Sequence, residues 1–195
     1  MLGYRRDIET QRQILWKILS ENIVLHQVIK EVQTFGYDNA YVGAGCICQS
    51  VWNYQNGYDP MYGISDIDIV YFDTDLSYEK EDCVIKQVKQ RFAGLPVAID
   101  VKNEARVHLW ITERFGYVIE PYTCVEEAID TWPTTASAVG VQMKGEVFSV
   151  YAPYGLNDMF GQIIRPNKVQ ITKETYLAKC TKWKAKWDSL QIVEW

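Results

Sequence analysis

The chain has 195 residues, 48% of them hydrophobic and 23% charged, and a formal net charge of −5. These are ordinary proportions for a globular protein that folds around one core, so we predict a single domain over residues 1–195. The acidic balance argues against long DNA as a partner, because proteins that hold DNA usually carry a basic surface. The overall charge does not exclude a local basic patch, and five C-terminal lysines are candidates for one, at positions 173, 179, 182, 184 and 186.

The sequence predicts a cytoplasmic protein that has no membrane partner. No apolar run approaches the 18 or so residues that a membrane-spanning helix requires, and the first residues lack the apolar stretch of a secretion signal. The five cysteines are scattered and odd in number. None has the spacing of a structural zinc site, so we interpret them as reduced thiols.

The first half of the chain begins with helical patterns and leads to a glycine turn. Apolar periodicity predicts a helix within residues 7–19 and a second one that Asn22 caps and Gly36 ends. A short strand at 41–43 then turns through Gly43 and Gly45 into a helix that runs toward residue 56. Such a turn presents free N–H groups and the positive end of a helix dipole, which suit phosphate, although it often just permits close packing.

Two carboxylates stand two residues apart at the head of the next strand, in the run Gly-Ile-Ser-Asp-Ile-Asp-Ile-Val-Tyr-Phe at 63–72. Its β-branched and aromatic residues favour a strand, which places Asp66 and Asp68 on one face with Cα atoms roughly 6–7 Å apart. That spacing lets them hold one metal ion or flank two. A bare D-x-D pattern is weak evidence, because acids at a strand edge or turn are common.

A third acid, Asp100, interrupts another strand pattern at 96–103. If this strand lies beside the first, Asp100 completes a cluster of three carboxylates, which is costly unless cations neutralise it or one acid holds a proton. Mg²⁺ suits such a cluster because it prefers oxygen ligands and substrate phosphates, and Mn²⁺ is an alternative. Lys102 would share the face of Asp100, and would either contact a phosphate or balance the acids.

The rest of the chain predicts further helices and one more strand. Ser77 is a plausible N-cap for a helix that ends near Gly94, and Asp73 and Asp75 are interpreted as turn acids. Arg106 suits a phosphate contact, whereas His108 is more readily a structural residue. Helical patterns follow at 125–129, 156–160 and 173–187, with a strand at 147–151.

The order of these motifs resembles the polymerase-β-type nucleotidyltransferase superfamily, and within it a family of small bacterial nucleotidyltransferase-like proteins of largely undefined substrate. The resemblance implies an α+β fold, with a mixed β-sheet flanked by helices. One departure is Gly45-Cys46, where the superfamily usually has Gly-Ser, since a thiol is a poor hydrogen-bond partner for phosphate. The resembling segments lie at 43–53, 66–73, 100–110, 152–158 and 165–167.

The resemblance implies a metal-dependent enzyme that transfers a nucleoside monophosphate from an NTP such as ATP to an acceptor hydroxyl and releases pyrophosphate. It assigns catalysis and metal binding to Asp66, Asp68 and Asp100. The acceptor stays open between a small molecule, an RNA end and a protein. The residues expected to bind the nucleotide and its phosphates are Gly43, Gly45, Cys46, Ser65, Lys102 and Arg106.

Two alternatives come from other classes of protein. The first is a catalytically silent nucleotide-binding or interaction module on the same fold, which the Gly45-Cys46 departure favours. The second is a sugar-nucleotide transferase that uses its D-x-D pair to hold a diphosphate. About 65 residues precede Asp66, which is short for the nucleotide-binding half that such enzymes usually place ahead of the motif.

Overall fold

The computed structural model describes residues 2–195. Eight helices are present in that range: α1 Ile8–Glu21, α2 Ile23–Val32, α3 Gly45–Asn56, α4 Tyr78–Arg91, α5 Val107–Phe115, α6 Val125–Asp130, α7 Asn157–Phe160 and α8 Lys173–Lys184. The strands are β1 Tyr41–Gly43, β2 Asp66–Tyr71, β3 Ala98–Asn103, β4 Gly140–Lys144, β5 Val147–Tyr151, β6 Ile163–Ile164 and β7 Gln191–Ile192.

A five-stranded mixed sheet forms the centre of the molecule, in the order β3-β2-β1-β4-β5. The strands β2 and β3 are parallel because α4 carries the chain back between them, and every other neighbouring pair in this sheet is antiparallel. The expected α+β class with a mixed sheet flanked by helices is therefore confirmed. The strand β4 and the small parallel pair of β6 and β7 were not predicted.

The first two helices pack as a pair, and α2 lies against the sheet at β1 and β4. The predicted cap is confirmed, since the Asn22 side chain accepts a hydrogen bond from the Leu25 amide at 3.1 Å. Gly36 ends this region with φ of +82° after a short 3-10 turn. A glycine there avoids the steric penalty that a Cβ atom would meet at positive φ.

Two helices end earlier than the sequence predicted. The helix α8 stops at Lys184 rather than at residue 187, because the chain narrows there into a 3-10-type turn in which the Lys186 amide donates to the Trp183 carbonyl at 2.9 Å. The helix α4 ends at Arg91, three residues before Gly94.

The acids Asp73 and Asp75 before α4 are turn acids, as predicted. The Asp75 carboxylate accepts a hydrogen bond from the Ser77 amide at 2.9 Å.

Three tryptophans tie the C-terminal helix to the centre of the fold. Trp52 of α3 meets Trp183 and Trp187 edge to face, with ring centroids 5.2 and 5.6 Å away. The Trp52 indole donates to the Met159 carbonyl at 3.1 Å, and the Trp187 indole donates to the Asn53 side chain at 2.8 Å. Buried indole N–H groups need such partners, so the cluster fixes the mutual positions of α3, α7 and the end of α8.

All five cysteines are free, and none is paired in a disulfide. Across residues 2–195, no helix combines the length and the apolar character that a membrane crossing would require.

Candidate active site

The turn between β1 and α3 forms one wall of the site. Gly43 ends β1 and Gly45 begins α3, as the sequence predicted, and neither glycine has a positive φ. Ala44 between them has φ of +61° and ψ of −135°, a backbone conformation that residues other than glycine rarely adopt. Its amide donates to the Val139 carbonyl at 3.0 Å, which holds the turn in place. Strain of this kind concentrates at functional sites.

Gly43 has a packing role in this turn. A Cβ atom built on it would lie 2.7 Å from the Trp132 ring and 2.8 Å from the Val139 carbonyl oxygen. Both distances are far below van der Waals contact, so only glycine lets β1, β4 and the Trp132 side chain approach this closely.

Gly43→Ala should therefore lower the free energy of unfolding by about 1–3 kcal/mol, the range typical of overpacking. Gly94→Ala is the matched control, because nothing lies within 4 Å of a Cβ atom there and its φ is not positive. Urea denaturation of both variants measures the effect. Equal stabilities for the two variants would contradict the packing role of Gly43.

The side chain of Cys46 is turned away from any phosphate position. It is buried, and its thiol donates to the Gly43 carbonyl at 3.0 Å. Burial, and then the negative charge of Asp68, raise the pKa of this thiol well above its usual value. The predicted phosphate contact of Cys46 can thus come only from its backbone amide at the start of α3, where no side chain caps the helix.

The three predicted carboxylates lie on two neighbouring strands. Asp68 of β2 is in register with Asp100 of β3, and Gly43 is the partner of Asp68 on the other side. Asp66 lies two residues before Asp68 on β2 and is exposed. The Ser65 hydroxyl donates a hydrogen bond to the Asp66 carboxylate at 2.8 Å. Adjacent strands are about 4.8 Å apart, so the sheet brings Asp68 and Asp100 together, while Asp66 lies opposite Ala98.

The Lys102 ammonium group lies between two of these acids. It forms an ion pair with Asp100, and its Nζ atom is 3.9 Å from the nearer Asp68 oxygen. Burial lowers the pKa of Lys102, but the hydrogen bond and charge of Asp100 outweigh burial and the net shift is upward. Lys102 therefore remains a cation at the point where the two carboxylates converge.

Asp68 has an unusual affinity for protons. Burial is the main cause and Lys102 opposes it, while the charges of Asp66 and Asp100 add to it, so the pKa of Asp68 rises to about 6. A carboxyl group with this pKa is poised near neutral pH and gains strongly from any further positive charge nearby.

The donor set is chemically suited to a divalent metal ion. Asp66, Asp68 and Asp100 offer hard oxygen ligands, and the Lys102 ammonium already shows that a cation is held where Asp68 and Asp100 meet. With the side chains as they stand, residues 2–195 contain no group of three His, Cys, Asp or Glu side chains close enough to ligate one ion. Metal binding would therefore require Lys102 and the acids to reorient.

A cleft of about 270 Å³ opens beside the carboxylates. Its floor contains Asp68 and Lys102, and the strained Ala44 lies at one side. Its walls come from α5, the segment around α6, and α8. The charged, polar and aromatic side chains in its walls include Glu104, Trp110, Arg114, Tyr122, Trp132, Gln170 and Lys179.

Two charged residues of this cleft had no assigned role in the sequence analysis. Glu104 is only 4% exposed, and burial raises its pKa to about 8. Lys179 was noted only as part of a possible basic patch, but its ammonium lies 4.6 Å from the centre of the Trp183 ring, and burial lowers its pKa. The alternation of Asp100, Lys102 and Glu104 was the one available signal for Glu104.

Arg106 is not brought to the carboxylates. Its guanidinium group donates to Glu81 of α4 at 2.7 Å and to the Ser77 carbonyl at 3.2 Å. The chain turns directly after β3, so Arg106 is directed toward α4 and is absent from the cleft lining. The phosphate contact predicted for Arg106 would require this ion pair to break.

Comparisons with known proteins agree with this architecture. A solved NMR structure described as revealing a CCA-adding enzyme head domain matches with a TM-score of 0.77 and 24% identity, over 94% of this chain and 96% of that one. Identity this low supports the shared fold alone. A search of curated proteins found no match.

The family comparison covers most of the chain. The model of a family described as nucleotidyltransferase matches residues 30–192, a range that includes the turn at Ala44, the D-x-D strand and the cleft. The chain therefore belongs to this nucleotidyltransferase family.

Proposed function

We propose that the protein transfers a nucleoside monophosphate from an NTP, ATP among the candidates, to an acceptor hydroxyl and releases pyrophosphate. The observation that carries this proposal is the in-register pair Asp68 and Asp100 with the Lys102 cation between them, beside an open cleft. Membership of the nucleotidyltransferase family supports it, and favours an NTP over a sugar nucleotide as the donor.

Asp66, Asp68 and Asp100 would hold Mg²⁺, or Mn²⁺ in its place. Bound there, the metal would neutralise triphosphate charge and lower the pKa of the attacking hydroxyl. Asp100 keeps a side chain that is 48% exposed, so it is open to the acceptor and suited to receive its proton. Lys102 adds positive charge beside the phosphates, and Ser65 orients the Asp66 carboxylate.

The phosphates would lie at the start of α3. The backbone amides there belong to Gly45 and Cys46, no side chain caps them, and the neighbouring Ala44 lines the cleft. Uncapped amides and the helix dipole both favour an anion. In this arrangement the Gly45-Cys46 pair binds phosphate through its backbone amides. The absence of a serine hydroxyl at position 46 therefore removes one contact and leaves those of the amides.

Calorimetric titration of each NTP with Mg²⁺ into the wild type and Asp100→Asn tests the site. We expect metal-dependent binding by the wild type that is weakened at least about tenfold in the variant, since a charged ligand is lost. Asp82→Asn is the matched control, because Asp82 pairs with Lys86 on α4, away from the cleft. Retained binding in Asp100→Asn would overturn the assignment.

Turnover is tested separately by pyrophosphate release. The structural relative is described as a CCA-adding enzyme head domain, so bulk tRNA is the first acceptor to add to wild-type protein, Mg²⁺ and NTPs. Release that depends on both Mg²⁺ and the acceptor supports the proposal, and hydroxylated small molecules form the second set of acceptors.

A catalytically silent nucleotide-binding module is the second candidate. The observation that favours it is the Lys102 ion pair, which already neutralises the carboxylates that a metal would use. Saturable NTP binding that is independent of Mg²⁺, without pyrophosphate release from any acceptor, would select this alternative.

A further inference from the structure

Asn167 is a buried side chain that lies beside the cleft and holds part of its wall. It ends the Arg-Pro-Asn segment that carries part of the family resemblance, and only 4% of the residue is exposed. Its side-chain amide donates to the Asp130 carbonyl at 2.6 Å and to the Trp132 carbonyl at 2.9 Å. Its backbone amide donates to the Pro133 carbonyl at 3.1 Å. Three hydrogen bonds from one residue therefore hold the segment 130–133, which is distant from it in sequence.

A tyrosine from a second resembling segment completes this cluster. The Tyr154 hydroxyl lies 2.7 Å from the Asp130 carbonyl oxygen and 3.1 Å from the side-chain oxygen of Asn167. The same oxygen of Asn167 accepts from the Val169 amide at 3.4 Å. Both donors and the acceptor of the Asn167 side chain are thus in use, and a fully satisfied buried network holds its members in one arrangement.

The segment held in this way carries Trp132, which meets the turn at the end of β1. Trp132 lines the cleft, and its ring lies against Gly43, where an added Cβ atom would be 2.7 Å from it. Gly43 is the strand partner of Asp68 and immediately precedes Ala44. Asn167 itself is not among the described residues that line the cleft. An effect of Asn167 on the site would therefore be transmitted through Trp132.

The turn that Trp132 contacts depends on its surroundings. Ala44 has φ of +61° and ψ of −135°, and a residue other than glycine keeps such a conformation only where neighbouring contacts enforce it. The hydrogen bond from the Ala44 amide to the Val139 carbonyl is one constraint, and the Trp132 ring against Gly43 is a second. The backbone angles of Ala44 set the direction of the uncapped amides that follow at the start of α3.

We propose that Asn167 is a positioning residue for the triphosphate site and that it acts through Trp132. By fixing the segment that carries this tryptophan, it keeps the turn at Ala44 in the conformation that directs the amides of α3 toward the phosphates. This inference rests on the proposed function. It gives a role to the resembling segments 152–158 and 165–167, neither of which lines the cleft.

Inorganic pyrophosphate is the probe for this inference, because it lacks a sugar and a base and reports on the phosphate end alone. In calorimetric titrations with Mg²⁺, we expect Asn167→Ala to bind pyrophosphate at least about fivefold more weakly than the wild type, a loss typical of one buried hydrogen bond. Asn167→Ser keeps one donor and should lose less, and it is the variant to titrate where the alanine variant does not fold.

A double-variant comparison tests the route through Trp132. Trp132→Ala should itself weaken pyrophosphate binding, because it removes the ring that supports the turn. The double variant with Asn167→Ala should then bind like Trp132→Ala alone, within about twofold, since two residues that act through one contact are not additive.

Asn22→Ala is the matched control for a merely structural effect. Asn22 is 2% exposed, and its side chain donates to the Pro60 carbonyl at 3.0 Å and accepts from the Leu25 amide at 3.1 Å. Its loss should lower the free energy of unfolding in the same way as the loss of Asn167. Because Asn22 holds the start of α2, Asn22→Ala should leave the affinity for pyrophosphate within about twofold of the wild type.

The turn can also be followed without a ligand. The amide signals of Ala44 and Gly45 in NMR spectra should shift in Asn167→Ala and stay in place in Asn22→Ala. Unchanged turn signals, pyrophosphate binding at wild-type strength in Asn167→Ala, or additive losses in the double variant would overturn this inference alone. Absence of binding of both pyrophosphate and NTPs by the wild type would overturn the proposed function and this inference with it.

Discussion

Asp68→Asn should abolish nucleotidyl transfer and at the same time stabilise the fold. Asp68 is the acid that faces both Asp100 and Lys102, so its loss removes the central ligand of the proposed metal site. Metal assistance is worth several kcal/mol of transition-state stabilisation, which corresponds to a fall in rate of at least about 10³-fold. Pyrophosphate release in the presence of a working acceptor measures this loss.

The gain in stability follows from the raised pKa. The folded state holds a proton on Asp68 up to about pH 6, whereas an ordinary aspartate has a pKa of 3.8. Between these values the folded state binds more protons, so this group makes the protein less stable as the pH rises through that window. Above pH 6 the ionised carboxylate lowers stability by up to about 3 kcal/mol, which asparagine would restore.

Urea denaturation at pH 4 and pH 7 separates this effect from others. The stability difference between Asp68→Asn and the wild type should be small at pH 4, where Asp68 is largely protonated, and close to its maximum at pH 7. Mg²⁺ with nucleotide should narrow the difference by stabilising only the wild type. A variant that is less stable than the wild type at pH 7 without metal would show that the carboxylate supports the fold.

The sequence predicted the acidic part of the site because strand geometry is local. The alternation of side chains in a strand was enough to place Asp66 and Asp68 on one face, and the same rule put Lys102 beside Asp100. The parallel pairing of β2 with β3 then brought the Asp68 face of one strand into register with the Asp100 face of the other. Each of these positions follows from a two-residue period and needs no knowledge of distant packing.

The cleft could not be predicted in the same way, because its walls come from distant parts of the chain. Lys179 is 79 residues from Asp100 in sequence and reaches the cleft only because α8 packs against α3, where Trp183 meets Trp52. The positive φ in the turn belongs to Ala44 and not to a glycine, while Gly43 is required for the close approach of Trp132 and the Val139 carbonyl, neither of which is near it in sequence. Arg106 turns toward Glu81 because the chain leaves the strand direction after Asn103.

Trp187→Ala should produce the largest loss of stability among the changes considered. Trp187 is 0% exposed and packs against Trp52, and its indole donates to Asn53 at 2.8 Å. Truncation of a buried tryptophan costs about 3–5 kcal/mol, a large share of the roughly 5–15 kcal/mol that stabilises a typical domain. We expect the melting temperature to fall by roughly 10 °C, as measured by circular dichroism.

Two further variants show whether the loss of stability depends on the position of the tryptophan or on its residue type. Trp187→Phe keeps most of the apolar contact and loses the hydrogen bond, so it should cost less than the alanine variant. Trp110→Ala removes a half-buried tryptophan from the cleft wall and should cost less than either. A Trp187→Ala protein as stable as Trp110→Ala would contradict the anchoring role.

The same substitution should weaken nucleotide binding without touching the cleft. Trp187 lies against Gly63, whose added Cβ would be 2.7 Å from the indole ring, and the neighbouring Lys186 donates to the Gly63 carbonyl at 2.8 Å. These contacts hold the segment that leads into Ser65 and Asp66. Loss of the indole frees that segment, so Mg²⁺-dependent nucleotide binding should fall even at temperatures where the variant is folded. Unchanged affinity in folded Trp187→Ala would show that β2 alone positions the D-x-D pair.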